Sequence, residues 1–452
     1  MHYDVIIVGA GPAGLAAAFE LTTLTDLSIL MIDKGRSMNG RNCTSLESFC
    51  VDHFPCDVTH GFGGAGLFSD GKLCLDSSVG GDITRFYTTQ EADELMNRVV
   101  AMLSLDELPI QIPSMNLHGL KDFQRELSHV GLDFGWYSVA RINLAERLRK
   151  SAALEKYLLD HGVDFAFETD VTEFFGDSTY TVKTSQEEYT ASYLVLAPGK
   201  VGAHWLQQQC RRLGISSENN PLYLGVRLEL PRQVTAELAA LSDNPKISMG
   251  TGRNRIKTHC FSDKGRAVLA DYDGRKLIDG NYLENGETDR ASVNVIMPVD
   301  LPSHIIPYVW SMHFIDQVND FGRGRPVAQT VGDLFRFQQS DPGHLAELHL
   351  TLQDCAPSDL SVLLSLRYAH KFREFVTALN HVIPGFASEE NVLYAPFVEW
   401  WMRKIAVDAH FETRRKNLYA IGDGAGMSQG IISAGMMGIA CARGIAEKYT
   451  QR

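Results

Sequence analysis

The segment DVIIVGAGPAGLAAAFEL, which runs from Asp4 to Leu21, decides the fold class of this chain. Its first part, Val5–Val8, is a continuous run of branched apolar residues, which predicts a strand buried on both faces of a parallel sheet. Three glycines follow the strand in G-x-G-x-x-G spacing, and the pattern of Leu15–Leu21 then predicts a helix. A strand, a glycine turn and a helix in this order are typical of a nucleotide-binding α/β fold.

The three glycines have separate expected roles. Gly9 allows the tight turn, Gly11 lets the backbone approach a pyrophosphate, and Gly14 lets the helix pack closely on the strand. A second predicted strand, LSILMID, ends at Asp33, where an acid is expected to meet a ribose 2′-hydroxyl. Together these features predict a dinucleotide whose phosphates lie at the positive N-terminus of the helix.

Two further segments distinguish FAD from NAD. YTASYLVLAPG, Tyr189–Gly199, reads as a buried strand stopped by Pro-Gly. Lys416–Tyr449 contains a predicted strand, Leu418–Ile421, which is followed by a glycine-aspartate pair at Asp423 and a helix rich in glycine and alanine. With the N-terminal motif, these segments resemble the FAD-binding fold of the glutathione reductase superfamily.

The resemblance implies FAD as the cofactor and assigns roles to residues of this chain. It implies that Asp423 holds the ribityl chain, that amides near Gly430 and Ile431 meet the pyrimidine edge of the flavin, and that the Val171 backbone meets the adenine. A helix N-terminus at the pyrimidine edge would stabilise the negative charge of reduced flavin. The residues expected to contact the cofactor are Gly9, Gly11, Ala13, Gly14, Asp33, Lys34, Arg41, Gly63, Gly64, Gly66, Ser69, Lys72, Val171, Ala197, Pro198, Gly199, Gly422, Asp423, Gly430 and Ile431.

Three segments resemble a narrower group, the bacterial FAD-dependent dehydrogenase or oxidoreductase family. They are FGGAGLFSDGKL (Phe62–Leu73), GRGRPVAQTVGDLFRF (Gly322–Phe337) and NLYAIGDGAGMSQGIISAGMMGIA (Asn417–Ala440). The resemblance implies FAD and redox chemistry but no particular substrate. The glycines of the first segment are expected to form a third wall of the FAD site, since glycine permits close approach to a ligand.

The end of that glycine segment has two interpretations. Ser69 and Asp70 could form an ordinary Asx-type turn with Lys72 in solvent. Alternatively, Ser69 and Lys72 could lie near the pyrophosphate or the N5 edge of the flavin. The sequence favours neither.

The predicted fold class is α/β, with a Rossmann-like FAD-binding domain (a parallel sheet plus a β-meander) and a mixed-sheet α+β substrate domain. The FAD-binding domain is expected to be discontinuous, with segments 1–75, 140–202 and 386–452. A helical insertion is expected over 76–139, and the substrate domain over 203–385.

Within the predicted substrate domain, LYLGVRLELP (Leu222–Pro231) alternates with period two and is expected to be its first strand. Lys257–Asn281 is expected to contain short strands joined by turns at Gly265, Gly274 and Gly280.

Composition narrows the function classes. The chain has 452 residues, and its net charge of −13 argues against a protein that coats nucleic acid. No apolar run reaches the length of a membrane span, and no secretory leader is recognised. Eight cysteines in a chain of this length do not indicate a disulfide framework, so a reducing, cytoplasmic location is expected.

Several redox motifs are absent from the sequence. There is no C-x-x-C pair for a flavin–disulfide relay and no second G-x-G-x-x-G on a strand–turn–helix; Gly250–Arg255 lacks a following helical pattern. Electrons are therefore expected to come from the substrate, or from NAD(P)H or another redox partner that binds transiently. The spacing of Cys43, Cys50 and Cys56 is too loose to predict a metal site.

Oxidation of a C–H bond by flavin needs a base beside the carbon, and His259, His313, Glu399 and Tyr394 are the nominated catalytic residues. The expected function is an FAD-dependent dehydrogenase or oxidase that transfers hydride between a small organic molecule and flavin N5. Alternatives are a flavin monooxygenase or halogenase, or an isoprenoid-type reductase that uses transiently bound NAD(P)H. A flavoprotein that acts on RNA is disfavoured by the charge.

Overall fold

The computed structural model describes residues 1–42, 54–272, 274–281, 288–400 and 402–451. The described chain forms two compact units. The first comprises Met1–Ile112, Val139–Asn220 and Trp401–Arg452, and the second comprises Pro113–Ser138 and Pro221–Trp400. Strands and helices are numbered below in chain order.

The first unit is an α/β structure. Its strands are β1 (His2–Val8), β2 (Ile29–Ile32), β3 (Lys72–Cys74), β5 (Val139–Arg141), β6 (Val163–Ala166), β7 (Val171–Gly176), β8 (Tyr180–Thr184), β9 (Glu188–Leu196), β10 (Ser217–Glu218), β20 (Lys404–Ile405) and β21 (Leu418–Ala420). Its helices are α1 (Pro12–Leu24), α2 (Thr89–Met102), α4 (Leu144–Asp160), α5 (Ala203–Arg212) and α11 (Ile431–Thr450).

The main sheet of this unit has the order β6-β2-β1-β9-β8-β7, and β21 also pairs with β9. The strands β6, β2, β1, β9 and β21 are parallel, whereas β7, β8 and β9 form an antiparallel meander. The predicted Rossmann-like sheet with a β-meander is therefore confirmed. Because parallel strands share a direction, the ends of β1, β2, β9 and β21 at Val8, Ile32, Leu196 and Ala420 lie at one edge of the sheet.

Helices α1 and α11 pack so closely that side chains are excluded at one point. A Cβ atom on Gly438 of α11 would clash with the carbonyl oxygen of Ala13 in α1. On the same helix, a Cβ atom on Gly435 would lie 2.8 Å from a methyl group of Val99 in α2. The glycines of α11 therefore allow direct contact between helix backbones, which offsets their low helix propensity.

The second unit is built around a larger sheet. Its strands are β4 (Asp133–Gly135), β11 (Leu222–Pro231), β12 (Lys246–Met249), β13 (Ile256–Asp263), β14 (Arg266–Tyr272), β15 (Arg275–Asn281), β16 (Arg290–Val299), β17 (Val327–Thr330), β18 (Ala356–Pro357) and β19 (Val392–Trp400). Its helices are α3 (Leu117–His129), α6 (Arg232–Leu241), α7 (Pro307–Phe321), α8 (Val331–Arg336), α9 (Pro342–Glu347) and α10 (Leu366–Val382).

The large sheet has the order β18-β17-β19-β11-β16-β13-β12-β4. It is antiparallel except for the β17–β18 pair, so it is the mixed sheet that was expected. The predicted strand Leu222–Pro231 coincides with β11, which lies between β16 and β19. Strands β14 and β15 form a separate hairpin, whose turn contains Gly274 as predicted.

The prediction of a turn at Gly280 is wrong, because this residue lies inside β15. A Cβ atom there would clash with the guanidinium of Arg227, which is fully buried. That guanidinium donates hydrogen bonds to Ser292, Asn294 and other neutral oxygens. Gly280 therefore makes room for a buried arginine rather than for a change of chain direction.

The units do not follow the predicted domain boundaries. The expected insertion 76–139 forms no unit of its own, since α2 packs on α11 in the first unit while β4 pairs with β12 in the second. The segment expected to begin the last FAD piece at residue 386 contains β19, a central strand of the second unit. Pairings between segments far apart in sequence set these limits, and composition does not reveal them.

Among the helices of the described chain, none is both long and apolar enough to cross a membrane.

A buried carboxylate joins three helices of the first unit. Glu20 on α1 is 2 % exposed, and its two oxygens lie 2.5 Å from Nε of Arg98 on α2 and 2.9 Å from Nε of Arg443 on α11. Replacing Glu20 with Gln removes the charge but preserves the shape. Both arginines then lose a charge-assisted hydrogen bond.

We predict that Glu20→Gln lowers the free energy of unfolding by about 2 kcal/mol, because hydrogen bonds to charged groups are worth roughly that much. Chemical denaturation followed by circular dichroism measures the change. Glu94→Gln, on the exposed face of α2, is the matched control and should leave stability unchanged. Equal stability of the Glu20 variant and the wild type would contradict the role assigned to this contact.

Candidate functional site

The turn between β1 and α1 and the first turn of α1 contain three glycines with different surroundings. At Gly9, φ is +108° and a Cβ atom would clash with the carbonyl oxygen of Ala197. At Gly14, a Cβ atom would clash with the carbonyl oxygen of Gly9. At Gly11, φ is −83° and the nearest atom to a Cβ would be the Cα of Gly64, at 3.9 Å. Gly9 and Gly14 therefore serve packing, while a Cβ on Gly11 would meet no more than an ordinary van der Waals contact.

The glycine segment after residue 60 packs against the starts of two helices. Gly63 has a φ of +85°, and a Cβ atom on Gly64 would lie 2.9 Å from the Cα of Gly11 before α1. A Cβ atom on Gly66 would lie 3.0 Å from Cγ1 of Ile431, the first residue of α11. The close approach expected of these glycines is therefore to other parts of the protein: Gly64 approaches the backbone of Gly11, and Gly66 approaches the side chain of Ile431. Their contact with FAD remains a prediction.

Both helix starts lack a side-chain cap. Neither Gly11, the N-cap of α1, nor Gly430, the N-cap of α11, offers a side chain to the first amides. Gly430 has a φ of +113°, which disfavours residues with a Cβ. Helix N-termini of this kind attract negative charge through their unpaired amides and their dipole.

A carboxylate lies between the end of β21 and α11. Asp423 accepts a hydrogen bond of 2.7 Å from Oγ of Ser428. Burial raises the pKa of Asp423, and the charge of Lys200 and the Ser428 hydrogen bond offset only part of that rise. A desolvated carboxylate with acceptor capacity to spare suits hydroxyl donors, as a ribityl chain would supply.

Ser428 and Lys200 were not among the residues predicted for this site. Lys200 directly follows the Pro-Gly that ends the β9 segment, and Ser428 lies five residues after Asp423 in the second glycine motif. Proximity to these motifs was the available signal.

Asp33 holds three loops together. Its Oδ2 accepts a hydrogen bond from the amide of Ala10, and its Oδ1 accepts from the amides of Gly35 and Gly61, each at 2.8 Å. A carboxylate has about four acceptor positions, so roughly one remains for a ligand. The predicted contact with a ribose hydroxyl is compatible with this count but remains a prediction.

Arg41 is committed to the protein backbone. Its guanidinium is buried and donates to the carbonyl oxygens of Asp57 and Phe62, and it lies 4.9 Å from the ring centre of Phe68. These contacts shape the chain that leads into the glycine segment. The structure therefore gives Arg41 a structural role, and its contact with FAD remains a prediction.

The expected adenine side lies at the start of the meander. Val171 is buried at the start of β7 and pairs with Thr184 of β8. Lys34 forms an ion pair with the neighbouring Asp170, with 3.3 Å between Nζ and Oδ2. The cofactor contacts predicted for Val171 and Lys34 stay predictions.

The end of the glycine segment contains the turn of the first interpretation but not its solvated lysine; the proximity of Ser69 and Lys72 to FAD remains a prediction. Oγ of Ser69 donates to the carbonyl of Gly66 at 2.8 Å, and Asp70 accepts from the amide of Lys72 at 3.2 Å, as in an Asx turn. The expectation that Lys72 is solvated is wrong, since its side chain is 7 % exposed and pairs with Asp70 at 2.8 Å. Burial alone would raise the pKa of Asp70, but Lys72 and Arg141 lower it.

The nominated catalytic residues lie in the second unit and fall into separate places. Nε2 of His259 on β13 lies 3.3 Å from Oε2 of Glu399 on β19. Tyr394 is fully buried in an apolar cluster, where its hydroxyl donates to Glu229 at 3.2 Å. His313 is exposed on α7. The structure brings together only His259 and Glu399 of the four.

The surroundings of His259 are irregular in a way that is common near functional sites. The pairing of β13 with β16 shifts register between His259 and Ser262, and Cys260 has a φ of +47°. Such bulges redirect side chains and are over-represented next to active sites. Burial raises the pKa of Tyr223, opposite Glu399 on β11, and the Glu399 charge adds to that rise.

The cysteine cluster is only partly described. Cys43 and Cys50 lie outside the described residues. Cys56 is a free, partly buried thiol whose carbonyl accepts a hydrogen bond from the amide of His60.

Comparisons with known proteins support the cofactor. A family model described as pyridine nucleotide-disulphide oxidoreductase matches residues 3–55. An uncharacterized protein of Clostridium beijerinckii is 23 % identical over 98 % of this chain and 81 % of its own length. The mitochondrial electron transfer flavoprotein-ubiquinone oxidoreductase of Oryza sativa subsp. japonica is 58 % identical over 40 residues, which are 8 % of this chain and 7 % of that protein.

Among solved structures, glycine oxidase from Geobacillus kaustophilus aligns over 99 % of this chain and 95 % of its own, with 13 % identity and a TM-score of 0.41. A score this low supports no argument about the reaction. The family match, taken with the site geometry, identifies FAD as the cofactor and the chain as an FAD-dependent oxidoreductase.

Gly9 and Gly11 provide a paired test of this site. Gly11→Ala should fold normally, because its φ is allowed and its Cβ would make only an ordinary van der Waals contact with Gly64, but should weaken FAD binding about tenfold by holding the phosphates away. Gly9→Ala should instead lower the thermal midpoint, since it clashes with Ala197. Titration of apoprotein with FAD and thermal unfolding measure the two effects. An unchanged FAD affinity in Gly11→Ala would refute the placement of the phosphates.

Proposed function

We propose that this chain is an FAD-dependent dehydrogenase or oxidase that transfers hydride between a small organic substrate and flavin N5. The observation that carries the proposal is the meeting of two uncapped helix N-termini, those of α1 and α11, across one glycine segment beside Asp423. Bound FAD would supply the hydride chemistry, and the protein would supply position and electrostatics.

The residues of the first unit suit separate parts of the cofactor. The amides of Gly11, Ala13 and Gly14 at the start of α1 suit the pyrophosphate, because they lie at a positive helix end. Asp423 suits the ribityl hydroxyls. The N-terminus of α11 at Ile431 suits the flavin edge that becomes negative on reduction, where a helix dipole favours the reduced form.

For the substrate proton we propose His259 as the base, oriented by Glu399. The carboxylate is 7 % exposed and lies within ion-pair distance of the imidazole, so it would stabilise the imidazolium that forms when His259 takes a proton. Tyr394 and His313 are less suited, since one is enclosed in the core and the other lies on an exposed helix face.

The absence of a C-x-x-C pair from the sequence argues against a disulfide relay, although the matched family model carries that name. Electrons would then pass directly between flavin and substrate, or come from NAD(P)H or another redox partner bound transiently.

We also propose membership of the bacterial FAD-dependent dehydrogenase family, on its glycine signatures. We also propose a cytoplasmic location, since eight cysteines in a chain of this length do not indicate a disulfide framework.

The first test concerns Asp423. We predict that Asp423→Ala loses most of its flavin on purification, because the variant lacks the carboxylate proposed to hold the ribityl chain. Asp177→Ala, which removes an exposed carboxylate of the same unit, should keep the wild-type ratio of flavin absorbance to protein absorbance. A fully loaded Asp423 variant would contradict the assignment.

The second test concerns the reaction. Under anaerobic conditions, bleaching of the flavin is followed with NADH, with NADPH and with a panel of alcohols, amines and hydroxy acids. We predict bleaching by an organic donor. Rapid bleaching only by a nicotinamide would favour the monooxygenase or reductase alternatives instead.

With that organic donor, His259→Gln should slow flavin reduction at least about 100-fold without loss of flavin, as expected when a general base is removed. His370→Gln is the matched control, because His370 forms an exposed pair with Glu374 on α10. The flavin of this variant should be reduced at the wild-type rate. Equal rates for wild type and His259→Gln would exclude His259 as the base.

A further inference from the structure

The second unit contains a cavity of about 600 Å³ that the proposed redox chemistry does not use. Its walls come from the end of β16 and the residues after it, from one face of α7, and from the first turn of α10. All of its lining residues belong to this unit. The volume lies within the range of cavities that hold small molecules.

The walls of this cavity are mainly apolar and aromatic. Trp310 and Phe314 on α7 stack in parallel, with ring centres 5.7 Å apart. Tyr368 on α10 is buried, and its hydroxyl donates to the carbonyl of Val295 at 2.6 Å, which fixes the ring as part of the wall. Leu301 adds an aliphatic surface after β16. These residues suit the apolar body of a ligand.

One cation lies in this apolar lining. Arg367 in the first turn of α10 is partly buried and donates one hydrogen bond, of 3.2 Å, to the carbonyl of Pro298. Within the described part of the chain, no carboxylate lies within ion-pair distance of it. Asp300, the acid in the lining, is exposed and pairs with Arg253 at 3.4 Å. Most of the donors of Arg367 are therefore available to an anion.

We propose that this cavity binds a small amphipathic anion, with its apolar body against Trp310 and Phe314 and its carboxylate on Arg367. A guanidinium matches a carboxylate with two parallel hydrogen bonds, and partial burial strengthens them. The chain as a whole carries a net charge of −13, so its overall field does not attract anions. Selection for an anion here depends on this local arginine.

Calorimetric titration of the FAD-loaded protein tests the proposal with octanoate, octan-1-ol and acetate. Octanoate offers both the apolar body and the carboxylate, whereas each of the others offers one. We expect octanoate to bind at least about tenfold more tightly than either, which corresponds to the loss of one charge-assisted contact or of the apolar contact. Equal binding of octanoate and octan-1-ol, or no binding of octanoate, would overturn the proposal.

Variants locate the binding within the molecule. Arg367→Gln should weaken octanoate binding about tenfold and remove its advantage over octan-1-ol. Arg373→Gln is the matched control, because Arg373 is on the same helix but lies against Phe335 outside the cavity. Arg367→Lys, which keeps the charge, should retain most of the preference and covers the case in which the Gln variant does not fold. The proposal is wrong if Arg373→Gln loses as much affinity as Arg367→Gln, if Arg367→Gln binds octanoate like wild type, or if Arg367→Lys loses the preference for octanoate over octan-1-ol.

Discussion

The close approach of α1 and α11 is the contact on which the first unit depends. Gly438 lets the backbones of the two helices touch, and the Cβ of Ala13 would lie 3.0 Å from a Cβ on Gly422, just before Asp423. Larger residues at these positions would separate the helices. The two helix starts would then no longer border the same glycine segment. The proposed FAD site would therefore depend on helix packing as much as on its polar groups.

Three segments far apart in sequence meet at the proposed FAD site: the start of α1, the segment Gly61–Gly66 and the start of α11. Each of them contributes backbone groups and not charged side chains. The carboxylate of Asp33 accepts hydrogen bonds from three amides, which holds these loops in place, and the guanidinium of Arg41 donates to carbonyl oxygens. Negative groups of a cofactor would thus meet amides and helix dipoles. This arrangement suits an acidic chain, because dipoles bind phosphate without adding net positive charge.

Short-range hydrophobic patterns in the sequence predicted several strands correctly. The run Val5–Val8 and the alternating segment Leu222–Pro231 both correspond to strands in the structure. The first is buried continuously, as its apolar run predicts, whereas β11 is buried almost throughout and not on alternate residues. Gly280 was misassigned because the residue it accommodates, Arg227, comes from another strand. The burial of Lys72 was likewise not predictable: its partner Asp70 is only two residues away, but the residues that cover the pair come from tertiary packing.

The sequence likewise predicted only part of the candidate site. The glycine motifs and Asp423 stand out in the sequence because their spacing reflects a local turn and helix start. His259 and Glu399 could each be nominated from the sequence. Their pairing could not be predicted, because it depends on the order of strands in the large sheet. Ser428 and Lys200 gain meaning only from the position of Asp423.

Hydrogen exchange of the apoprotein with and without FAD tests the central claim, that three distant segments form one cofactor site. The account predicts that amides in the first turn of α1, in the segment Gly61–Gly66 and in the first turn of α11 all become slower to exchange together when FAD is added. Protection confined to the first of these segments, or no protection at all, would contradict it.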